Sequence, residues 1–258
     1  FIDSHCHLDF PEYEGKLPEL LSRMRDNKVT HALCISVDMP DFPKVLAIAQ
    51  QYPNLFASVG THPDYENTPE PSVNQLIDLA SHPKVLAIGE TGLDYYRMGD
   101  RTYDQMEWQR ARFRNHIRAA KFAQKPLIIH TRSASEDTLR IMREEGAHEV
   151  GGVMHCFTES LDIAKKAIEL GFYISFSGIV TFKNARDLQE TCREIPIEKL
   201  LIETDSPFLA PVPHRGKRNE PAFLNLVASR VASILEWSPE KLSEITVSNS
   251  NRLFKAEK

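Results

Sequence analysis

Short apolar runs alternate with amphipathic stretches from one end of the chain to the other, and this alternation restricts the fold more than any single motif. Eight such runs are present: Phe1–Asp3, His31–Ser36, Leu55–Val59, Val85–Gly89, Pro126–Ile129, Gly152–Met154, Phe172–Ser175 and Leu200–Glu203. Several are almost wholly apolar, which suits strands covered on both faces in a parallel sheet rather than strands with one face in water. Runs of that kind separated by helix-length segments are the pattern of βα units. Eight units are the number that closes a β/α barrel, and 258 residues agree with the roughly 250 typical of that fold. The expected architecture is a (β/α)8 TIM barrel, a single α/β domain over residues 1–258.

The clearest helix is expected over about Arg101 to Phe122, where Met106, Phe113, Ile117 and Ala120 recur at near-helical spacing. Further helices are expected over Pro40–Gln51, Ala134–Glu145, Ser160–Leu170 and Asn184–Arg193. After the eighth run come a Pro-rich loop, Pro207 to Pro221, and two helical stretches that would pack outside the barrel. Ser238 and Pro239 mark the start of the last one, as cap and first helical residue. No internal repeat, low-complexity tract or interdomain linker interrupts the alternation.

Hydrophobic residues make up 41% and charged residues 26%, the balance of an ordinary globular protein, and no run approaches the roughly 18 apolar residues of a membrane span. Phe1 to His5 show no basic region followed by an apolar stretch, so no secretory signal is visible and a cytoplasmic location is expected. Cys6, Cys34, Cys156 and Cys192 are scattered and form no CxxC pair, which argues against a zinc ribbon or a disulfide scaffold. A formal net charge of −5 gives the surface as a whole no attraction for polyanions, so any nucleic acid would have to be held locally. No obligate protein partner is evident.

Chemistry collects at the ends of the runs. His5 and His7 are two apart on a strand, so their imidazoles point to the same side and can grip one cation while Cys6 points away. Glu90, His130, His155 and Asp205 each lie at or just beyond the carboxyl end of a later run. In a barrel these ends share one rim, where active sites of this architecture are built. Four histidines, one glutamate and one aspartate there make a ligand set for two divalent ions. The other histidines divide: His31 begins a strand and faces the opposite rim, and His82, His116 and His148 are expected at the surface in helical or connecting stretches. His62, in Gly60-Thr61-His62-Pro63, and His214 follow the third and eighth strands and could face substrate.

These residues resemble the TatD family of metal-dependent deoxyribonucleases, within the amidohydrolase superfamily. The likeness rests on Asp3-Ser4-His5-Cys6-His7-Leu8-Asp9, Gly60-Thr61-His62-Pro63, Gly89-Glu90-Thr91-Gly92-Leu93-Asp94-Tyr95-Tyr96, His130-Thr131-Arg132, His155-Cys156-Phe157-Thr158 and Glu203-Thr204-Asp205-Ser206-Pro207. The resemblance implies that His5, His7, Glu90 and Asp205 hold one ion and that Glu90, His130 and His155 hold the other, with Glu90 bridging. Many superfamily relatives bridge their metals with a carboxylated lysine on the fourth strand. Glu90 stands at that position here, and no lysine ends any of the eight runs.

Two cations about 3.5–4 Å apart can share a water, lower its pKa towards neutrality and polarise a phosphoryl or acyl oxygen. Asp205 is the expected proton acceptor, with Glu90 completing the catalytic pair. Glu203 is open between orienting a ligand histidine and making a plain structural hydrogen bond. Arg132, Arg215 and His62 are the candidates for substrate phosphate, against surface ion pairing of the arginines. Tyr95, Tyr96, Phe157 and Phe208 fall in rim loops, where they either stack on bases of a single strand or pack the loops themselves.

The implied activity is a 3′–5′ exonuclease on single-stranded DNA ends. The alternative is an ester or amide hydrolase on the same scaffold, such as a deacylase acting on aminoacyl-RNA. A metal-binding protein without turnover is a third reading, weakened by the presence of Glu90 and Asp205. The cations could be magnesium, manganese, zinc or nickel.

Overall fold

In the computed structural model, which describes residues 1–255, every one of the eight apolar runs overlaps a strand. These are β1 (Ile2–Cys6), β2 (His31–Cys34), β3 (Leu55–Val59), β4 (Val85–Asp94), β5 (Leu127–Arg132), β6 (Gly152–Met154), β7 (Tyr173–Phe176) and β8 (Leu200–Ile202), in one sheet in chain order. Each pairs parallel with the next. The last three residues of the expected domain lie outside the described residues. Helices α1 (Leu17–Asp26), α2 (Phe42–Gln51), α3 (Val73–Ala80), α4 (Glu107–Ala123), α5 (Ser135–Glu144), α6 (Leu161–Glu169) and α7 (Arg186–Glu194) fill the crossovers, and α8 (Leu224–Leu235) and α9 (Pro239–Phe254) follow β8. Ser238 caps α9 by accepting the Lys241 N–H at 3.2 Å. The short α1 and α3 have no counterpart among the helices expected from periodicity. Among the described residues no helix is long and apolar enough to cross a membrane.

Two hydrophobic clusters share the strands between them. Ala32, Leu55, Ala57, Val59, Val85 and Ile88 pack against the helices. Leu33, Leu86, Ile128, Val153, Tyr173 and Leu201 form a second cluster with Leu253 and Phe254 of α9. Phe254 lies with Thr30, His31 and Phe56 at the amino-terminal ends of the strands, so α9 covers that end. The opposite rim carries the polar residues.

The barrel closes between β1 and β8 through specific polar contacts instead of a regular ladder. The His7 N–H donates to the Ser206 carbonyl at 2.8 Å and the Asp205 N–H to the His5 carbonyl at 2.9 Å. Below them the buried Asp3 carboxylate accepts the Thr204 N–H at 2.9 Å and the Thr204 hydroxyl at 2.5 Å.

Four strands outlast their apolar runs: β1 to Cys6, β4 to Asp94, β5 to Arg132 and β7 to Phe176. β4 continues past Gly89 to Asp94: after an irregularity between Ile88 and Thr91 it resumes pairing with β5, Gly92 opposite His130 and Asp94 opposite Arg132. Glu90 therefore sits within a strand, not at its end. His130 and Arg132 likewise belong to β5, where the apolar run stops at Ile129. Polar side chains directed at the rim centre do not interrupt backbone pairing, so apolarity alone marks these strands as too short.

Asp3→Ala removes the acceptor for two buried Thr204 donors, and a buried unsatisfied donor costs about 1–3 kcal/mol. We expect a loss of about 3 kcal/mol in urea unfolding. A loss below about 1 kcal/mol would mean that strand contacts alone close the barrel.

Candidate metal centre

The other five side chains expected to ligate metal gather around the carboxylate of the sixth, Glu90. Glu90 is buried, and its two oxygens face different partners. Oε2 lies 3.2 Å from His5 Nε2, which in turn lies 3.3 Å from His7 Nε2 and 3.6 Å from Asp205 Oδ1. His7 Nε2 completes this group at 3.4 Å from Asp205 Oδ1. Oε1 lies 2.8 Å from His155 Nε2 and 3.1 Å from His130 Nδ1. The arrangement is two sets of donors joined by one glutamate. Asp205 has φ 54°, a left-handed conformation uncommon outside glycine that aspartate tolerates better than most residues.

Ring hydrogen bonding decides which nitrogens can coordinate, because a neutral imidazole donates from one nitrogen and offers a lone pair on the other. His7 Nδ1 faces the Ile35 carbonyl at 3.3 Å, His155 Nδ1 faces Glu203 Oε1 at 3.2 Å and His130 Nε2 faces Asp94 Oδ2 at 3.0 Å. Each of these oxygens can accept a ring proton, and the opposite nitrogen of each ring faces Glu90 or Asp205, where it would offer its lone pair to a cation bound between them. Ligand histidines are oriented in this way in metal sites generally. Glu203 thus touches a candidate ligand, and its Oε1 also accepts the Cys156 N–H at 2.7 Å.

His62 is the exception. Its Nε2 lies 3.4 Å from Glu90 Oε1, and distance alone groups it with Glu90 and His130 as a metal-binding triad. Its Nδ1, however, accepts the Asp64 N–H at 3.0 Å, so the proton of the neutral ring is on Nε2. His62 therefore presents a donor to the site, consistent with a role towards substrate and not with metal ligation.

Burial works against charge at Glu90, yet His155, His62 and His5 outweigh it and hold the carboxylate well below its usual range. At Asp205 the hydrogen bond from His7 and the neighbouring imidazoles also outweigh burial and lower the pKa. Burial favours neutral His155, but Glu90 and Glu203 raise it well above the ordinary value. Protons on these rings compete with a cation for the same carboxylates. Cation affinity should therefore weaken as pH falls.

Behind His62 lies a clamp that periodicity does not reveal. His116, expected at the surface, is fully buried on α4. Its Nδ1 donates to the Arg112 carbonyl at 2.8 Å, and its Nε2 accepts the Thr61 N–H at 3.0 Å. Arg112, on the same helix face, donates to the His62 carbonyl at 2.8 Å. The backbone that carries His62 is held from both sides. His116 is buried, not at the surface, because it lies one turn from Arg112 and one turn from Ala120 on the buried face of α4, where it satisfies a loop N–H that no strand pairs.

The centre opens into a rim cavity of about 620 Å3. Its lining includes His62, Arg132, Cys156, Phe10 and Phe208. Arg132 lies with its guanidinium 3.5 Å over the Tyr96 ring and, among the described residues, has no carboxylate partner. Arg215 does not line the cavity and packs over Phe182 at 4.4 Å, while His214 stacks on Phe223. Tyr95 and Phe157 are buried, and Tyr95 donates to Asp137. Of the four rim aromatics, only Tyr96 and Phe208 remain exposed. Asp94 was legible only if β4 ran on: Glu90, Gly92 and Asp94 then alternate onto one face.

Burial pushes the His116 pKa from its ordinary 6.5 down to about 4. The unfolded chain therefore takes up this proton first as pH falls, and stability complete above about pH 6.5 is lost down to about pH 4. The two values differ by enough for roughly 3 kcal/mol. His116→Gln should flatten this part of the stability–pH curve, measured by urea unfolding at several pH values. A wild-type slope unchanged in the variant would assign the proton elsewhere. Separately, Asp94→Ala frees the His130 ring, and loss of such a partner weakens metal affinity about 10- to 100-fold. Titration of manganese into this variant should show one weakened site and one unaltered; equal weakening of both, or of neither, would contradict the two-set arrangement.

The TatD related DNase profile matches residues 2–255. The metal-dependent hydrolase YabD of Bacillus subtilis is 42% identical over 255 residues, with 98% of both chains covered. YcfH of Escherichia coli, also named as a metal-dependent hydrolase, is 43% identical over 256 residues, covering 98% of this chain and 95% of the relative. Among solved structures, the TatD homologue YJJV of Escherichia coli superposes with a TM-score of 0.90 at 29% identity, over 99% of this chain and 98% of the other. By this match over nearly its whole length, the chain belongs to the TatD-related DNase family of metal-dependent hydrolases.

Proposed function

We propose that the protein is a deoxyribonuclease that binds two divalent cations and removes nucleotides from the 3′ end of single-stranded DNA. His5, His7, Glu90 and Asp205 would hold one cation, and Glu90, His130 and His155 the other. The reading is carried by one observation: Arg132, a guanidinium without a carboxylate partner among the described residues, lines the same cavity as the two carboxylate-bridged donor sets. A fork of free N–H donors fits phosphate oxygens bidentately. The family's DNase name supports the same substrate class.

Divalent cations bound there would acidify a water molecule and polarise the phosphoryl oxygens. The remaining work falls to side chains. Asp205 is held ionised by His7 at the mouth of the centre and accepts the proton of the attacking water. His62 donates from Nε2 to a phosphoryl oxygen, and the His116–Arg112 clamp fixes the backbone from which it does so. Arg132 orients the phosphate, and Glu203 keeps the His155 ring from turning.

Metal-reconstituted protein should hydrolyse single-stranded DNA in preference to aminoacyl esters. Asp205→Asn should lower kcat roughly 10²- to 10⁴-fold, the range for removal of a general base, with metal content assayed alongside. Glu203→Gln, which alters an orienting partner, should lose less. Near-normal turnover by Asp205→Asn at full metal occupancy would move the proton acceptor elsewhere, and ester turnover without DNA turnover would favour the deacylase reading.

A further inference from the structure

We propose that Phe208 and Phe10 form a stacking subsite for the nucleobase of the terminal nucleotide, across the rim cavity from Arg132. The inference rests on the nuclease reading and adds to it where the base goes. With the strands ordered β1 to β8 around the barrel, the segments after β8 and β1 lie opposite β5. Phe208 and Phe10 come from those two segments and Arg132 from β5, with the Glu90 centre between them.

The wall they form is apolar and continuous with the centre. The Phe10 ring stacks on His7 with centroids 4.9 Å apart and planes 27° apart. Phe208 meets Phe10 edge-on at 5.8 Å and His7 at 6.1 Å. Leu209, Ile179 and Val37 also line the cavity. Phe208 is nonetheless 49% exposed, so packing within the chain leaves much of its ring uncovered. The other aromatics near the rim differ: Tyr96 has its face taken by Arg132 and does not line the cavity, and Tyr65 lies edge-on to His62.

A terminal nucleotide has an anionic phosphate and a flat apolar face joined by a sugar, and the cavity offers matching walls on either side of its reactive centre. None of Phe10, Phe208, Leu209, Ile179 and Val37 carries a hydrogen-bonding group in its side chain. The base would be held by its π-face and not read at its edge, so discrimination among the four bases should be weak.

The test pairs protein variants with termini that have or lack a base. Wild-type, Phe208→Ala, Phe208→Trp and Arg132→Ala proteins, each loaded with manganese, are assayed on single-stranded oligonucleotides ending at 3′ in thymidine or in an abasic tetrahydrofuran residue. Aromatic stacking on a base predicts that Phe208→Ala raises KM roughly 5- to 100-fold on the thymidine terminus. The penalty should vanish on the abasic terminus, Phe208→Trp should restore binding, and Arg132→Ala should lose the same factor on both. An equal Phe208→Ala penalty on the two termini, or none on either, overturns the subsite while leaving the nuclease reading in place. Failure of the wild-type protein to cleave either oligonucleotide overturns both.

Discussion

Closure of the barrel between β1 and β8 is the constraint on which the site depends. One donor set takes His5 from the first strand, His7 from just beyond it and Asp205 from beyond the last, so it exists only when the two ends of the sheet meet. The contacts that join them are interleaved with the donors themselves: the His7 N–H binds the Ser206 carbonyl and the Asp205 N–H binds the His5 carbonyl. Asp3 ties the same two segments from below through Thr204. The other donor set hangs from β4, β5 and β6, and Glu90 spans the two. Fold and site are thus closed by the same hydrogen bonds, and a slip in register at this seam would separate the candidate ligands before it exposed much of the core.

The arrangement concentrates charge where burial opposes it. Desolvation pushes the Asp3 carboxyl up to about 7 even though Thr204 favours its ionised form. Around Glu90, histidines offset part of the same penalty. Buried ionisable groups of this kind stabilise a fold poorly by themselves, and removing one partner leaves the other uncompensated. A cation bound to the folded chain and not to the unfolded one would add stability by mass action. The barrel interior and helices therefore carry the fold, while the rim is arranged for ligand.

Much of this was legible in the sequence because a parallel barrel turns linear pattern into geometry. Apolar runs mark the strands, their carboxyl ends share a rim, and His5, His7, Glu90, His130, His155 and Asp205 all lie at or just beyond those ends. What periodicity could not show are contacts set by tertiary pairing. Asp94 ends a strand that continues past its apolar run, so the partner of His130 was not visible as a strand residue. His116 looks like any polar residue on an amphipathic helix until the unpaired Thr61 N–H is placed beside it. Arg215 and His214 have the right position in sequence, yet Phe182 and Phe223 draw them away from the cavity. A loop of many residues has no fixed direction that its sequence position alone can supply.

Glycine explains how three strands bring their side chains so close. A Cβ at Gly92 would lie 1.9 Å from the His130 carbonyl oxygen, and one at Gly60 would lie 2.6 Å from the Gly89 carbonyl carbon. Gly92 also has φ 136°, a conformation that side chains rarely allow. These two positions let β4 press against β5 on one side and against the segment after β3 on the other. The consequence is chemical: Glu90 Oε1 can reach His130 at 3.1 Å and His62 at 3.4 Å together, so a candidate metal ligand and the Nε2 donor of His62 address the same oxygen. A larger residue at either glycine would push apart the strands that set those distances. In the motif Gly89-Glu90-Thr91-Gly92, the glycines thus determine how closely the carboxylate is surrounded, and the glutamate supplies the charge around which both donor sets are built.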